Sequence, residues 1–559
     1  MSLSSTLPPA ARGTPRLLSW TAFAVAGICL LPMLAVAIAA LTGGTETVAH
    51  LARSVLGRYV ANTGLLVVLV SLGTFAVGVG AAWLVTMTRF PGVRVLEIAL
   101  VIPLAFPAYV LAYAYTHLLD HPGIVQSTLR EVMGWGPRDY WFPEIRSLGG
   151  AALMLTLVLY PYVYLLTRAA FRMQAATPFY AARSLGASPF SAFLRVSLPM
   201  ARPAIAAGTL LVVMETIADF GTVAHFSVQT FATGIYTSWF GLGDRGAAAQ
   251  LALGLLTFAL LVAALEHMNR GAAAFAASGK REPFVRFNLT GKRALGAQIA
   301  CLVPVLFGVI LPTVALVLMG MRSEQDIFGP RYIRFIQNSL TLAAVAAFVT
   351  VAAAVFLGTF RRVLPNRVSL AALFVGRLGY AVPGGVIAVG LLVPFAQFDN
   401  WLDARMEAWF DISTGLLITG SMWLMIAAYM IRFLAAAIGS YDSGLATVTP
   451  NIDAASRVLG RSTWGMVRDV HLAVLRPSIL TALLIVFVDT IKELPATLIL
   501  RPFNYDTLAV QAFRLASDER LDGAAVPSLI IAAIGLVPVI LLCTQLSERR
   551  RPIGQQTHA

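Results

Sequence analysis

The stretch ETIADFGT at 215–222 returns as DTIKELPA at 489–496, 274 residues later. In each copy two acids interrupt a long apolar run: Glu215 and Asp219 in the first, Asp489 and Glu493 in the second. Other segments repeat around this one. RSLGAS at 183–188 matches RVLGRS at 457–462, again 274 apart. AFPAYVLAYAY around Pro107 matches AVPGGVIAVGL around Pro383, and Asn62-Thr63 matches Asn338-Ser339, both at 276. Matches at one nearly constant offset describe a tandem duplication.

Composition says what kind of unit is duplicated. Only 12% of the 559 residues are charged and 58% are hydrophobic, against about 25% charged in soluble domains. Mean hydropathy is +0.78. These values exclude a soluble enzyme, a disordered chain and a fibrous protein. A spanning helix needs about 20 mostly apolar residues. Twelve runs qualify: 17–41, 60–87, 95–118, 148–171, 204–225, 248–267, 296–320, 338–360, 368–395, 413–436, 477–500 and 523–547. They do not alternate apolar with polar residues as barrel strands do. The expected fold is an all-α polytopic membrane protein of twelve helices, six per copy. An even number gives both copies the same orientation, so a pseudo-two-fold runs along the membrane normal and a substrate path lies between the copies.

With both termini placed inside, Lys and Arg concentrate in the inner loops and Asp and Glu in the outer ones, which is the orientation the positive-inside rule favours. The net charge of +14 then reflects loops beside an anionic leaflet. No nucleic-acid partner is expected, because the basic residues sit in short loops rather than on one face. Arg12 and Arg16 precede the uncharged run 17–41, which is too long for a secretory signal core and reads as a retained helix. Cys29, Cys301 and Cys543 lie in apolar runs without metal-site or disulfide spacing. The chain divides into a tail and first helix (1–59), a first unit (60–267), a basic cytoplasmic linker (268–295), a seventh helix and outer loop (296–337), a second unit (338–547) and a cytoplasmic tail (548–559).

Two cytoplasmic loops are built alike. Thr177-Pro178 opens a short helix that Gly186 ends, and Ser188-Pro189 opens another leading to Leu198-Pro199. In the second copy Thr449-Pro450 opens the helix, Gly460 ends it, and Ser462 precedes a run to Leu472. The pattern Ala-Ala-x3-Gly, nine residues, then apolar-x-Leu-Pro resembles the "EAA" loop of permease subunits of bacterial ABC importers. The resemblance extends over nearly the whole chain, and two units fused in one polypeptide look most like ferric-iron permeases, with fused thiamine permeases the nearest competitor. It implies that Ala181, Ala182, Gly186, Leu198 and Pro199 form one ATPase-coupling loop, and Asp453, Ala454, Ala455, Gly460 and Leu472 the other. The family's leading Glu is Tyr180 here and Ala454 in the second copy, with Asp453 one position earlier, and Ala473 replaces the closing proline. The resemblance further implies two copies of a cytoplasmic ATPase, a periplasmic substrate-binding protein and a bacterial inner-membrane location. No G-x-x-x-x-G-K-[S/T] loop occurs, so ATP would be used by partner subunits and no cofactor held by this chain.

Glu215, Asp219, Arg377, Asp489, Lys492 and Glu493 fall within predicted spans. A charge at mid-membrane costs at least about 2.5–3.5 kcal/mol, so these must face protein, water or one another. Glu215 and Asp219, like Asp489 and Glu493, are four apart and are expected to share one helix face. Hard cations favour carboxylate oxygen, which makes Glu215, Asp219, Asp489, Lys492 and Glu493 candidates for a cation path or gate. The alternative is internal pairing, Asp489 with Lys492 and Arg377 with another acid. A proton-coupled secondary transporter would use the same acids differently; the paired loops argue against it. His117 and His121, four apart, are weak metal candidates. Residues 397–413, QFDNWLDARMEAWFDIS, are expected at the outer interface, as are Trp135, Tyr140 and Trp141.

Overall fold

The computed structural model describes residues 16–42, 50–174, 177–270 and 286–548. Most of the expected linker (271–285) and much of both tails lie outside them, as does the side chain of Cys543. Helices α1 (Arg16–Thr42), α2 (Gly57–Met87), α3 (Val93–Ala99), α4 (Ala108–Leu119) and α5 (Leu148–Met173) open the first unit. The loop helix α6 (Thr177–Ser184), α7 (Leu198–Ala218), α8 (Gly221–His225) and α9 (Arg245–Arg270) complete it. The second unit repeats the order with α10 (Gly291–Arg322), α11 (Pro330–Val363), α12 (Arg367–Leu378), α13 (Gly384–Phe410) and α14 (Met422–Leu445). It ends with α15 (Pro450–Val458), α16 (Arg476–Ile491), α17 (Pro495–Leu500) and α18 (Leu521–Glu548). Among the described residues ten helices are long and apolar enough to cross a membrane, and up to twelve spans result if each of two bent pairs is one span. A parallel pair of two-residue strands, Thr88–Arg89 with Phe287–Asn288, is the one sheet among the described residues.

The spans expected at 95–118 and 368–395 are broken rather than continuous. Phe106 and Val382, each before a proline, take extended ψ values of 130° and 117°, because the proline ring excludes the helical conformation of its predecessor. The chain turns by 94° between Val93–Ala105 and Ala108–Met133. In the second copy α13 then runs on to Phe410, so residues 397–410 are its outer end, with Phe398, Trp401, Trp409 and Phe410 exposed. The next span starts at Met422 rather than near 413. Asp399 and Asp403 bind the returning loop, accepting from the amides of Ile418 and Thr419 and of Thr414 and Gly415.

The first helix of each unit packs on the other unit. Helix α1 lies against α11, α12 and α13, while α10 lies against α2 and α4. One core joins residues 66–228 to 294–343 and 491–539, and the other joins 342–500 to 18–40 and 213–256. Gly390 of α13 permits the closest approach: a Cβ there would lie 2.3 Å from the Pro32 carbonyl oxygen and 2.7 Å from Pro32 Cα.

Candidate functional site: a charged cavity between the halves and two coupling loops

The intramembrane acids cluster, but not as helix-face pairs. Helix α7 ends at Ala218, and Asp219 is extended (φ −66°, ψ 129°). Helix α16 ends at Ile491, before Glu493. Both acids instead cap the short helix that follows. The Asp219 carboxylate accepts from the Thr222 and Val223 amides, each at 3.2 Å, and from the Thr222 hydroxyl at 3.0 Å. Glu493 accepts from the Ala496 and Thr497 amides, each at 3.2 Å, and from the Thr497 hydroxyl at 3.0 Å. The expected shared faces are therefore corrected: a carboxylate that satisfies free amides at a new helix start gains more than it would on the preceding helix.

Glu215 and Asp489 do lie on α7 and α16, one from each half. All four acids line a cavity of about 90 Å³ together with Arg432, Lys492, Tyr109 and Tyr162. That volume has room for only a few waters. Lys492 pairs with Asp489 at 2.8 Å. Arg377 lies away from the cavity and pairs with Asp442 at 2.5 Å. The cation that completes the cluster is Arg432 of α14, which the sequence reading did not single out. Its guanidinium stands 3.8 Å from Glu215 and 3.6 Å from Glu493, and the Tyr380 hydroxyl donates to Glu215 at 3.3 Å.

A wider cleft of about 510 Å³ opens between the halves at the far end of α4, lined by Asp120, Arg146, Glu324, Glu519 and Asp522 among others. Arg146 bridges the halves here, 2.9 Å from Asp120 and 2.7 Å from Glu519. His117 lines this cleft, but α4 stops at Leu119 before Pro122, so His121 leaves the helix and faces the Pro137 carbonyl at 3.3 Å. The two histidines therefore do not form an i, i+4 pair. No group of three or more metal-ligating side chains occurs among the described residues. Trp135 stacks on Tyr140, with ring centroids 5.4 Å apart, and Trp141 is exposed.

The two loops expected to couple to an ATPase share the same turn. Gly186 (φ 88°) and Gly460 (φ 75°) end their helices in the left-handed region, which glycine alone adopts without strain. The Ala187 amide bonds to Ala182 O and the Arg461 amide to Ser456 O, at 3.1 and 3.0 Å. Ser188 and Ser462 cap the next helices, each accepting an amide at 3.1 Å. Ala181, Ala454 and Ala455 are exposed and Ala182 is half-buried; Leu198 and Pro199 are half-buried at the start of α7, and Leu472 is half-buried in a short helix that meets α16 at a 77° bend. Within these loops Leu185, Val458 and Leu459 are left almost fully exposed, at 89%, 87% and 81%. A patch of that kind marks an interaction surface.

Anchoring of the loops differs. Phe179 of α6 is buried against Phe287 of the small sheet. In the second loop Asp453 is buried and turned inward, accepting from Arg362 Nε at 2.7 Å and from His471 Nε2 at 2.9 Å. Arg362 also donates to Val448 O at 2.8 Å. Burial raises the Asp453 pKa, but the hydrogen bonds from His471 and Arg362 outweigh it and hold the carboxyl below the usual range. Arg362 ends α11, so this network ties α15 to a span.

No family model matches the chain. It is 26% identical over 524 residues to the Fe(3+)-transport system permease protein FbpB 2 of Haemophilus influenzae, covering 92% of this chain and 95% of that protein. It is 26% identical over 572 residues to the probable ABC transporter permease protein y4fN of Sinorhizobium fredii, covering 95% and 96%. The molybdenum transport system permease protein ModB of Escherichia coli is 27% identical over 190 residues, which is 33% of this chain and 80% of that protein. Along almost its whole length, then, the chain is similar to ABC-transporter permease subunits.

Proposed function

We propose that this chain is the membrane-spanning subunit of an ATP-driven importer, with both halves of the permease in one polypeptide and ferric iron as cargo. Full-length similarity to the ferric-iron permease of Haemophilus influenzae carries this reading, and the matched coupling loops support it. Both termini and both loops lie in the cytoplasm. Two copies of a separate ATPase dock on α6 and α15, and ATP is bound and hydrolysed there, not by this chain. A periplasmic binding protein delivers cargo to the cleft lined by Arg146 and Glu519.

The geometry suggests how the parts work together. ATPase closure pushes on two helices, α15 tied to α11 and α6 packed on the small sheet. The halves part about the pseudo-axis, and the cavity ringed by Glu215, Asp219, Asp489 and Glu493 becomes the passage. Hard carboxylate oxygens suit a hard cation, and with two acids committed as helix caps, retention stays weak enough for release. The test is uptake of radiolabelled ferric iron by cells carrying the double variant Glu215→Ala/Asp489→Ala. Uptake should fall by at least tenfold with the protein still present in the membrane. Unchanged uptake would remove these acids from the path, and saturable uptake of another small solute in place of iron would move the cargo assignment.

A further inference from the structure

Arg432 is paired unlike the other closely held cations. Lys492 and Arg362 hold their acids at 2.8 and 2.7 Å. The buried guanidinium of Arg432 stands 3.8 Å from Glu215 and 3.6 Å from Glu493, beyond hydrogen-bond length. Its Nη1 has no hydrogen-bond partner among the described residues. A buried charge left so loosely paired is costly. The fold makes room for it: a Cβ at Gly384 would lie 2.5 Å from Arg432 Nη1 and 2.6 Å from Glu493 Oε1. Symmetry sharpens the point. Acids come from both halves, whereas the positions equivalent to Arg432 and Lys492, 274 residues earlier, are Val158 and Ala218. Both cavity cations thus belong to the second half.

The acids are not equally committed. Asp219 and Glu493 cap helices, and Asp489 has Lys492. Glu215, from the first half, is held by the Tyr380 hydroxyl at 3.3 Å and by the distant charge of Arg432.

We infer that Arg432 is the resident counter-ion of the closed path: it spans the two halves, occupies the position of the cargo's charge, and reserves Glu215 for a multivalent cation when the halves part. On opening, the guanidinium stays with Glu493 of its own half and Glu215 is exposed. Arg432 is thereby a specificity-determining residue that favours a bare or hydrated cation over an anionic complex. The inference rests on the cavity being the cargo path.

The experiment uses the full complex with its ATPase and binding protein, comparing Arg432→Gln, Arg432→Lys, Glu215→Gln and Arg432→Gln/Glu215→Gln. Two quantities are read: ferric-iron uptake, and ATP hydrolysis without loaded binding protein. In Arg432→Gln that hydrolysis should rise about tenfold, because Glu215 then faces the acids of the other half without its counter-ion and their repulsion favours parting. In Arg432→Lys it should stay near the parent level. The double variant should return hydrolysis to the parent level while iron uptake stays lost. Should Arg432→Gln fail to accumulate, recovery of protein in the double variant carries the same support. Unchanged hydrolysis in Arg432→Gln, or a double variant that regains uptake, overturns the inference. A parent complex that moves no iron, yet shows the hydrolysis pattern, would refute the iron assignment and uphold the counter-ion.

Discussion

Replacing Arg362 by alanine separates coupling from hydrolysis. The side chain holds Asp453 at 2.7 Å and the Val448 carbonyl at 2.8 Å, so its loss removes a charge partner and a loop contact together. Exposed ion pairs contribute at most about 1 kcal/mol, and breaking a fully buried pair costs about 3–5 kcal/mol. Side-chain exposures of 21% for Arg362 and 12% for Asp453 place this pair between, at about 2–3 kcal/mol. At 1.4 kcal/mol per decade, the docked position of α15 becomes about 30–150 times less favoured. The ATPase itself is untouched, so ATP hydrolysis should continue. In the reconstituted complex the ratio of iron carried to ATP hydrolysed should fall at least tenfold. Arg362→Lys, which keeps the charge and one donor, should lie between. A ratio equal to the parent's in Arg362→Ala would refute the claim that force passes from α15 to α11 through this contact.

Three further outcomes follow from the geometry. Gly390→Ala, where a Cβ meets the Pro32 backbone at 2.3 Å, should lower stability by about 1–3 kcal/mol, read as a drop in thermal midpoint. Gly64→Ala, with open space around it, should not; equal effects would deny the close packing of α1 on the second unit. Gly460→Ala places a Cβ in the left-handed region at φ 75°, with a cost of about 1–2 kcal/mol. It should weaken ATPase capture with the halves still folded, and full capture would contradict the role of this turn. The hydrogen bond from Arg146 holds the Glu519 carboxyl below its ordinary value of 4.5. A depressed carboxylate pKa stabilises above the unfolded value and fades as pH falls through the folded one. The difference in thermal midpoint between the parent and Glu519→Gln should thus be constant from about pH 8 to 6 and shrink only at pH values below 4.5. Shrinkage between pH 8 and 6 would contradict the assignment.

Some of this architecture was legible in the sequence because its signals are local. Apolar runs give spans irrespective of partners, and the glycine and serine positions of the coupling loops specify their turns. Pro107 and Pro383 mark the breaks in two apolar runs, because the residues before them leave the helical region for steric reasons alone. The caps were harder to see. Asp219 and Glu493 stand four residues from another acid, the spacing of a helix face. What makes them caps is the donors that follow, and Gly221 and Pro495 were the available clue. Arg432 has no charged neighbour nearby in its span, and its partners lie in other helices. The inward turn of Asp453 depends on Arg362, 91 residues away. Exchange of α1 and α10 between units leaves no trace in composition or periodicity, since lipid-facing and protein-facing helices are equally apolar.

The central claim, an ATP-driven iron path through this chain, is tested most directly by radiolabelled ferric-iron uptake in iron-limited cells with and without the gene, each with and without ATP depletion. The account predicts that deletion removes a component of uptake that ATP depletion also removes. Iron uptake unchanged by deletion, or a deleted component that survives ATP depletion, would contradict it.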